Sequence, residues 1–256
     1  MTRRVVLRET TAELADVVAS RLLARIAKRT AAGKTVHVSL TGGTMGIEVL
    51  RVAGRDPQRA AIDWSRVHVW WSDERFVAAS SPDRNDVPAG ALLNAIDIPD
   101  ANIHRMPASD AGLTLDEGAE AYAAELRRFA PADGSTEWPV FDVCLLGVGP
   151  DGHIASLFPD RGEIAVTDAA VLPVRDSPKP PPERLTFTRP VINSSKRVWL
   201  VMTGAEKASA LGLALAGASY RSVPAAGAKG TKRTTFFVDE AAAAQVPPEL
   251  MVGDDD

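Results

Sequence analysis

Short apolar runs alternate along this chain with longer amphipathic stretches. Val5 to Leu7 predicts a short strand. Thr10-x-x-Glu13 then matches a capping box, in which each side chain satisfies an orphan backbone N–H. Leu14, Val17, Val18, Leu22 and Ile26 follow at helical spacing, predicting a first helix that ends near Gly33. Val36, Val38 and Leu40 alternate within Thr35 to Leu40, a strand broken by Gly42-Gly43, and Met45 to Val52 reads as a helix. Val67 to Trp71 predicts another strand, with helices at Ala89 to Ile96 and Leu115 to Phe129. Val140, Phe141, Val143, Cys144, Leu145 and Leu146 form an apolar run that reads as a buried strand. Arg197 to Met202 is a late strand, followed by Gly204 and a helix over Ala205 to Leu215. Thr234 to Val238 predicts a final strand, with Asp239 capping a short helix. Ala130 to Pro139 and Asp176 to Pro182 are turn-rich loops.

Strand–helix alternation of this kind predicts an α/β fold: a single-domain, Rossmann-like open sheet, mostly parallel, with helices on both faces. No repeat or low-complexity linker interrupts it, so residues 1–256 read as one domain, with 253–256 a frayed tail. The formal charge of −4 argues against a nucleic-acid surface, which would be basic. Cys144 is the single cysteine, so no internal disulfide or cysteine zinc cluster is expected; it packs within its strand. No apolar signal core follows the early arginines and no run is long enough to span a bilayer, so a cytoplasmic protein without a membrane partner is expected.

Candidate chemistry gathers at the strand ends. Thr41-Gly42-Gly43-Thr44, Ser72-Asp73-Glu74-Arg75, Gly147 to His153, and Thr203-Gly204-Ala205-Glu206-Lys207 each follow a predicted strand. Parallel strands bring all four loops to one edge of the sheet, where open α/β sheets bind ligands. The first loop offers hydroxyls, glycines and a helix start to an anion. It lacks the Lys-Ser/Thr end of a P-loop, which argues against a nucleoside triphosphate. Arg75, Lys207 and Arg184 are candidate phosphate-binding cations. His153 is the candidate base, with Asp73 or Asp151 to fix its tautomer. Gly147-x-Gly149-x-x-Gly152 also matches the dinucleotide pattern. Pro150 in the turn, Pro159 soon after, and an Asp168 that precedes an apolar stretch rather than ending a strand all argue against that reading. His37, His68 and His104 read as structural or surface histidines, and no histidine pair has metal-ligand spacing, so no metal or other cofactor is expected. The tryptophans read as core or rim packing. Lys229, Lys232 and Arg233 read as a solvated loop that could border the site.

Taken together, these loops resemble the 6-phosphogluconolactonases of the pentose phosphate pathway, over nearly the whole chain. Ser39 to Thr44 is similar to that family's S-x-S-G-G-S/T loop, and Trp71 to Val77 to its W-x-D-E-R-x-V segment. Asp83-Arg84-Asn85 resembles D-S-N, Leu145 to Pro159 the L-G-x-G-x-D-G-H-x-A-S-L-F-P signature, Pro181 to Thr186 P-P-x-R-I/L-T, and Thr203 to Lys207 T-G-x-x-K. Thr41 and Arg84 each stand where serine is usual, and Met45 where proline is common. The resemblance implies hydrolysis of 6-phospho-D-glucono-1,5-lactone, with His153 activating water and Asp73 orienting or supporting it. It implies phosphate or substrate contacts from Thr41, Gly42, Gly43, Thr44, Arg75, Asn85, Gly152, Arg184 and Lys207. The partner is then a small phosphosugar lactone, not nucleic acid, and the protein a monomer or weak homo-oligomer. Glucosamine-6-phosphate deaminases of the same fold group resemble Gly149 to Ala155 but continue with an F-N-E-P-like run, where this chain has Ser156-Leu157-Phe158-Pro159. A deaminase or phosphosugar isomerase, and a non-enzymatic sugar-phosphate-binding domain, are the alternative readings.

Overall fold

The computed structural model describes residues 2–251; the acidic tail expected at 253–256 lies outside them. In chain order the elements are β1 (Thr2–Arg8), α1 (Thr11–Ala31), β2 (Val36–Leu40), α2 (Gly43–Ala53), β3 (Val67–Trp71), β4 (Asp73–Arg75), α3 (Gly90–Leu93), α4 (Leu115–Arg127) and β5 (Val143–Gly147). There follow β6 (Val171–Val174), β7 (Arg184–Phe187), α5 (Arg189–Asn193), β8 (Arg197–Met202), α6 (Ala208–Leu215), β9 (Arg233–Asp239) and α7 (Glu240–Ala243).

Six strands form one sheet in the order β1-β9-β8-β5-β2-β3, and every pairing is parallel. Its inner strands are apolar on both sides because both faces are covered. Val36, Val38 and Leu40, Val143 and Leu145, and Trp199 and Val201 face a core shared with α1 and α2. Cys144 and Leu146, Val198, Leu200 and Met202, and Phe236 and Val238 face the opposite core, with α4 and α6. Helix α1 begins at the capping box on Thr10 and Glu13 and buries Leu14, Val18, Leu22 and Ile26, as their spacing predicts. Among the described residues no helix is long and apolar enough to cross a membrane.

A second sheet, β4-β7-β6, is antiparallel and covers the second of these cores. Sequence periodicity does not show it. Asp73 to Arg75 reads as a polar loop, yet it is a strand whose first two residues are buried. The helix expected over Ala89 to Ile96 is shorter, Gly90–Leu93.

His37 and His68 are side by side in the β2–β3 register, their rings 4.8 Å apart, and His104 stacks on Trp70 at 3.7 Å. Burial, reinforced by their neighbours' charge, pushes His37 down to about 3 and His68 to about 4. These histidines are structural. Arg233 begins β9, at the sheet edge opposite the strand carboxyl ends, so Lys229, Lys232 and Arg233 do not border the candidate site.

Candidate active site

The strand order reverses at β2. From β2 the chain moves outward to β3, then crosses back to place β5 on the other side of β2. A reversal of this kind opens a crevice beyond the strands' carboxyl ends. Here a cavity of about 490 Å³ occupies that position. All four strand-end loops singled out in the sequence contribute to its wall.

The loops after β2 and β5 brace each other, because the Gly147 N–H donates to Thr41 Oγ1 at 3.1 Å. Helix α2 starts at Gly43, with no side-chain cap at Gly42, so its first N–H groups are free of an intrahelical or capping acceptor. Gly42 has to be glycine, since a Cβ there would overlap the Asn85 carboxamide. Asn85 in turn donates from Nδ2 to the Asp73 carbonyl at 2.9 Å.

His153 is held by a tight turn. Gly149 N–H donates to the His153 carbonyl and Gly152 N–H to the Gly149 carbonyl, both at 3.0 Å. The imidazole lies over Gly149, where any Cβ would overlap it. Its Nδ1 is 2.5 Å from Asp151 Oδ1, and the Lys179 ammonium is 3.3 Å from the same nitrogen. Burial is the largest influence on Asp151 and would raise its pKa. The hydrogen bond and charge of His153, with the charge of Lys179, outweigh it and hold the carboxyl well below its usual range.

Arg75 and Arg184 face each other across the β4–β7 register. Arg184 is buried and donates to the carbonyls of Lys179, Pro180 and Pro181, at 2.9, 3.1 and 3.2 Å. Burial lowers its pKa; Asp73 opposes the shift and Arg75 adds to it. Arg75 donates to the Asp83 carbonyl at 2.6 Å, while its Nε is buried without a partner. Lys207 comes from the turn after β8, and burial lowers its pKa too, with Glu206 opposing and Lys179 adding. That turn is anchored by Asp239, whose carboxylate accepts the Gly204 N–H at 3.1 and 3.2 Å and the Thr11 hydroxyl at 3.1 Å.

Comparison with known proteins places this arrangement. The family model described as glucosamine-6-phosphate isomerases/6-phosphogluconolactonase matches residues 9–237. The chain belongs to that family. It is 42% identical over 240 residues to the 6-phosphogluconolactonase of Streptomyces coelicolor, covering 93% of this chain and 92% of that one. It is 46% identical over 231 residues to the 6-phosphogluconolactonase of Mycobacterium leprae, covering 89% and 92%. The crystal structure of a 6-phosphogluconolactonase from Thermotoga maritima superposes with a TM-score of 0.79 at 27% identity, over 93% of this chain and 100% of that one.

Within this family framework, the cavity wall includes His153, Asp73, Thr41, Gly42, Gly43, Thr44, Arg75, Asn85, Arg184 and Lys207. Two of the expected site residues make other contacts. Gly152 does not line the cavity; it has φ +82° and backs onto Val223, so it shapes the turn. Asp73 makes no bond to His153. Its carboxylate accepts the Ser156 hydroxyl at 2.7 Å, and Asp151 is the acid on the imidazole. Lys179 lines the cavity without any motif pointing to it. Among the described residues no group of three His, Cys, Asp or Glu side chains could hold a metal ion.

Glu74 and Arg84 support the wall from behind. Glu74 accepts the N–H groups of Arg75, Asn85 and Asp86 at 2.8, 2.6 and 2.9 Å. Arg84 grips Asp86 through two bonds, at 2.9 and 3.0 Å, so the arginine standing at the family's serine position is a buried structural ion. Burial raises Glu74 from 4.5 to about 7, against the opposing charge of Arg84. A carboxyl with a raised folded pKa stabilises the fold fully below its unfolded pKa and loses that contribution as pH rises through the folded value. Relative to Glu74→Gln, the wild type is therefore expected to lose about 3 kcal/mol of stability between pH 4.5 and 7. His37 and His68, both lowered, contribute with the opposite sign in both proteins and cancel in the difference. Denaturant unfolding of the two proteins across this range checks it, and parallel stability curves would contradict it.

Proposed function

We propose that this protein hydrolyses 6-phospho-D-glucono-1,5-lactone to 6-phospho-D-gluconate, as a cytoplasmic enzyme of the oxidative pentose phosphate pathway. The observation that carries the reading is that one cavity holds His153 together with cations from three other segments, Arg75, Arg184 and Lys207.

An ionised Asp151 can only accept, so the proton stands on Nδ1 and the imidazole lone pair on Nε2. His153 then removes a proton from water as the water attacks C1, and returns it to the departing ring oxygen. A δ-lactone is an activated ester, so a positioned base suffices and the chemistry needs no metal.

The phosphate sits at the uncapped start of α2, with Arg75 and Lys207. Two arginines opposed across a strand pair repel, and a bound anion relieves that repulsion. The buried, unpartnered Nε of Arg75 is a further donor awaiting an acceptor. Phe158 occupies the position where the deaminases' F-N-E-P-like run carries its acid, and its buried ring lies 4.7 Å from the His153 imidazole, so ring opening and deamination lack their carboxylate.

The test is hydrolysis of freshly generated 6-phosphogluconolactone above its spontaneous rate, alongside ammonia release from glucosamine 6-phosphate. Lactone turnover without ammonia supports the reading; ammonia release, or no turnover of either, overturns it. Lys207→Ala is expected to reduce kcat/KM for the phosphorylated lactone by about 10-fold or more, the loss of one charge-assisted hydrogen bond. Unphosphorylated gluconolactone should be nearly unaffected. Equal losses on both substrates would remove Lys207 from the phosphate site.

A further inference from the structure

We propose that Lys179 is the catalytic cation at the lactone end, pairing with the negative charge that develops on the carbonyl oxygen of C1. The inference rests on the lactonase reading and adds a residue that the family motifs quoted above do not contain.

A glycine turn is the usual place to look for oxyanion donors. Here the N–H groups of its three glycines and of His153 are engaged. Gly147 donates to Thr41 Oγ1, Gly149 to the His153 carbonyl, Gly152 to the Gly149 carbonyl, and His153 N–H points to Asp151 Oδ1 at 3.4 Å. Pro150 has no N–H to give. A side-chain cation beside the base is the group placed to meet the charge on C1–O.

Four cations line the cavity: Arg75, Lys179, Arg184 and Lys207. Of these Lys179 lies beside the base, its Nζ 3.3 Å from His153 Nδ1 and 3.5 Å from Asp151 Oδ1, the oxygen that both groups share. Its loop is fixed from both sides. Arg184 binds the carbonyls of Lys179, Pro180 and Pro181, and Ser177 N–H donates to the Pro182 carbonyl at 3.0 Å. The sequence reads Arg184 as a phosphate ligand. The structure shows three of its bonds used to aim Lys179.

Charge balance supports the same assignment. In the free protein Asp151 offsets Lys179. When the imidazole takes a proton, two positive groups face a single carboxylate. The oxyanion formed in that same step restores the balance, so the pairing strengthens as the transition state forms. The step conserves atoms and electrons. Water oxygen bonds to C1, its proton passes to Nε2, and the carbonyl π pair moves onto oxygen beside the ammonium. Collapse re-forms C=O, breaks the bond from C1 to the ring oxygen, and returns the proton from Nε2 to that oxygen.

Lys179→Met is the test, since the side chain is 39% exposed and its removal leaves the core untouched. The expected result is a fall in kcat of about 10²–10³-fold on both phosphorylated and unphosphorylated gluconolactone, with Lys179→Arg largely restored. Ligand affinity separates this role from mere support of His153. The product carboxylate occupies the oxyanion position, so Lys179→Met should weaken 6-phosphogluconate about 10-fold, in calorimetry, and leave glucitol 6-phosphate unchanged.

A loss confined to phosphorylated ligands would place Lys179 on the phosphate and overturn the proposal. A fall in kcat with the acid-over-alcohol preference intact would reduce Lys179 to a prop for Asp151 and overturn it equally. Wild-type protein that hydrolyses neither lactone above background would refute the activity itself, a result read without any variant.

Discussion

His153→Ala is expected to lower lactone kcat by about 10²–10⁴-fold while the protein stays folded. The turn around residue 153 is built from backbone bonds and glycines, and the imidazole contributes to none of them. It donates to Asp151, and Asp151 also pairs with Lys179 at 3.5 Å. Removing the ring therefore deletes the base without opening the core. The check is steady-state turnover beside a thermal melt. A folded variant that retains wild-type kcat would eliminate His153 as the base.

Gly149→Ala should be nearly as damaging, although the added group is one methyl. The new Cβ would overlap both the imidazole and the Asp151 carboxylate. The ring and the carboxylate must turn aside, because the turn backbone is fixed by the Gly149–His153 and Gly152–Gly149 bonds. A displacement of about 1 Å in a catalytic group is enough to cost on the order of 10²-fold in rate. A reduced kcat with KM for the phosphorylated lactone held near wild type is the expected signature, since the phosphate cations sit on other segments. Unchanged kcat would show that the ring position observed here is not the productive one.

The main sheet was legible in the sequence because strands covered on both faces are apolar along their length, as at Val143 to Leu146 and Val198 to Met202. The second sheet was not. Asp73-Glu74-Arg75 is polar, and its burial depends on Arg84, Asp86 and Asn85, which follow several residues later. Arg184 reads as a phosphate-binding cation beyond a proline-rich loop, yet it opens β7 and is buried. For the same reason the partner of His153 could not be settled between two aspartates. Asp73 stands in a strong motif, but the chain turns into β4 there and directs that carboxylate to Ser156. Asp151 is two residues from the histidine in a tight turn, a local geometry the glycines already implied. Lys179 has no signal of its own because Ser177-Pro178-Lys179-Pro180 carries only turn signals; its position is set by the Arg184 side chain at the start of β7.

The outermost strand, β1, has β9 as its sole neighbour in the sheet. β1 thus waits for a strand far along the chain before it can join any ladder, a contact of very high sequence separation whose loop-closure cost falls late in assembly. Shortening the protein from Arg233 onward would strip β1 of every inter-strand bond, bare the flank of β8 to association with other chains, and remove Asp239 from beneath the Lys207 turn.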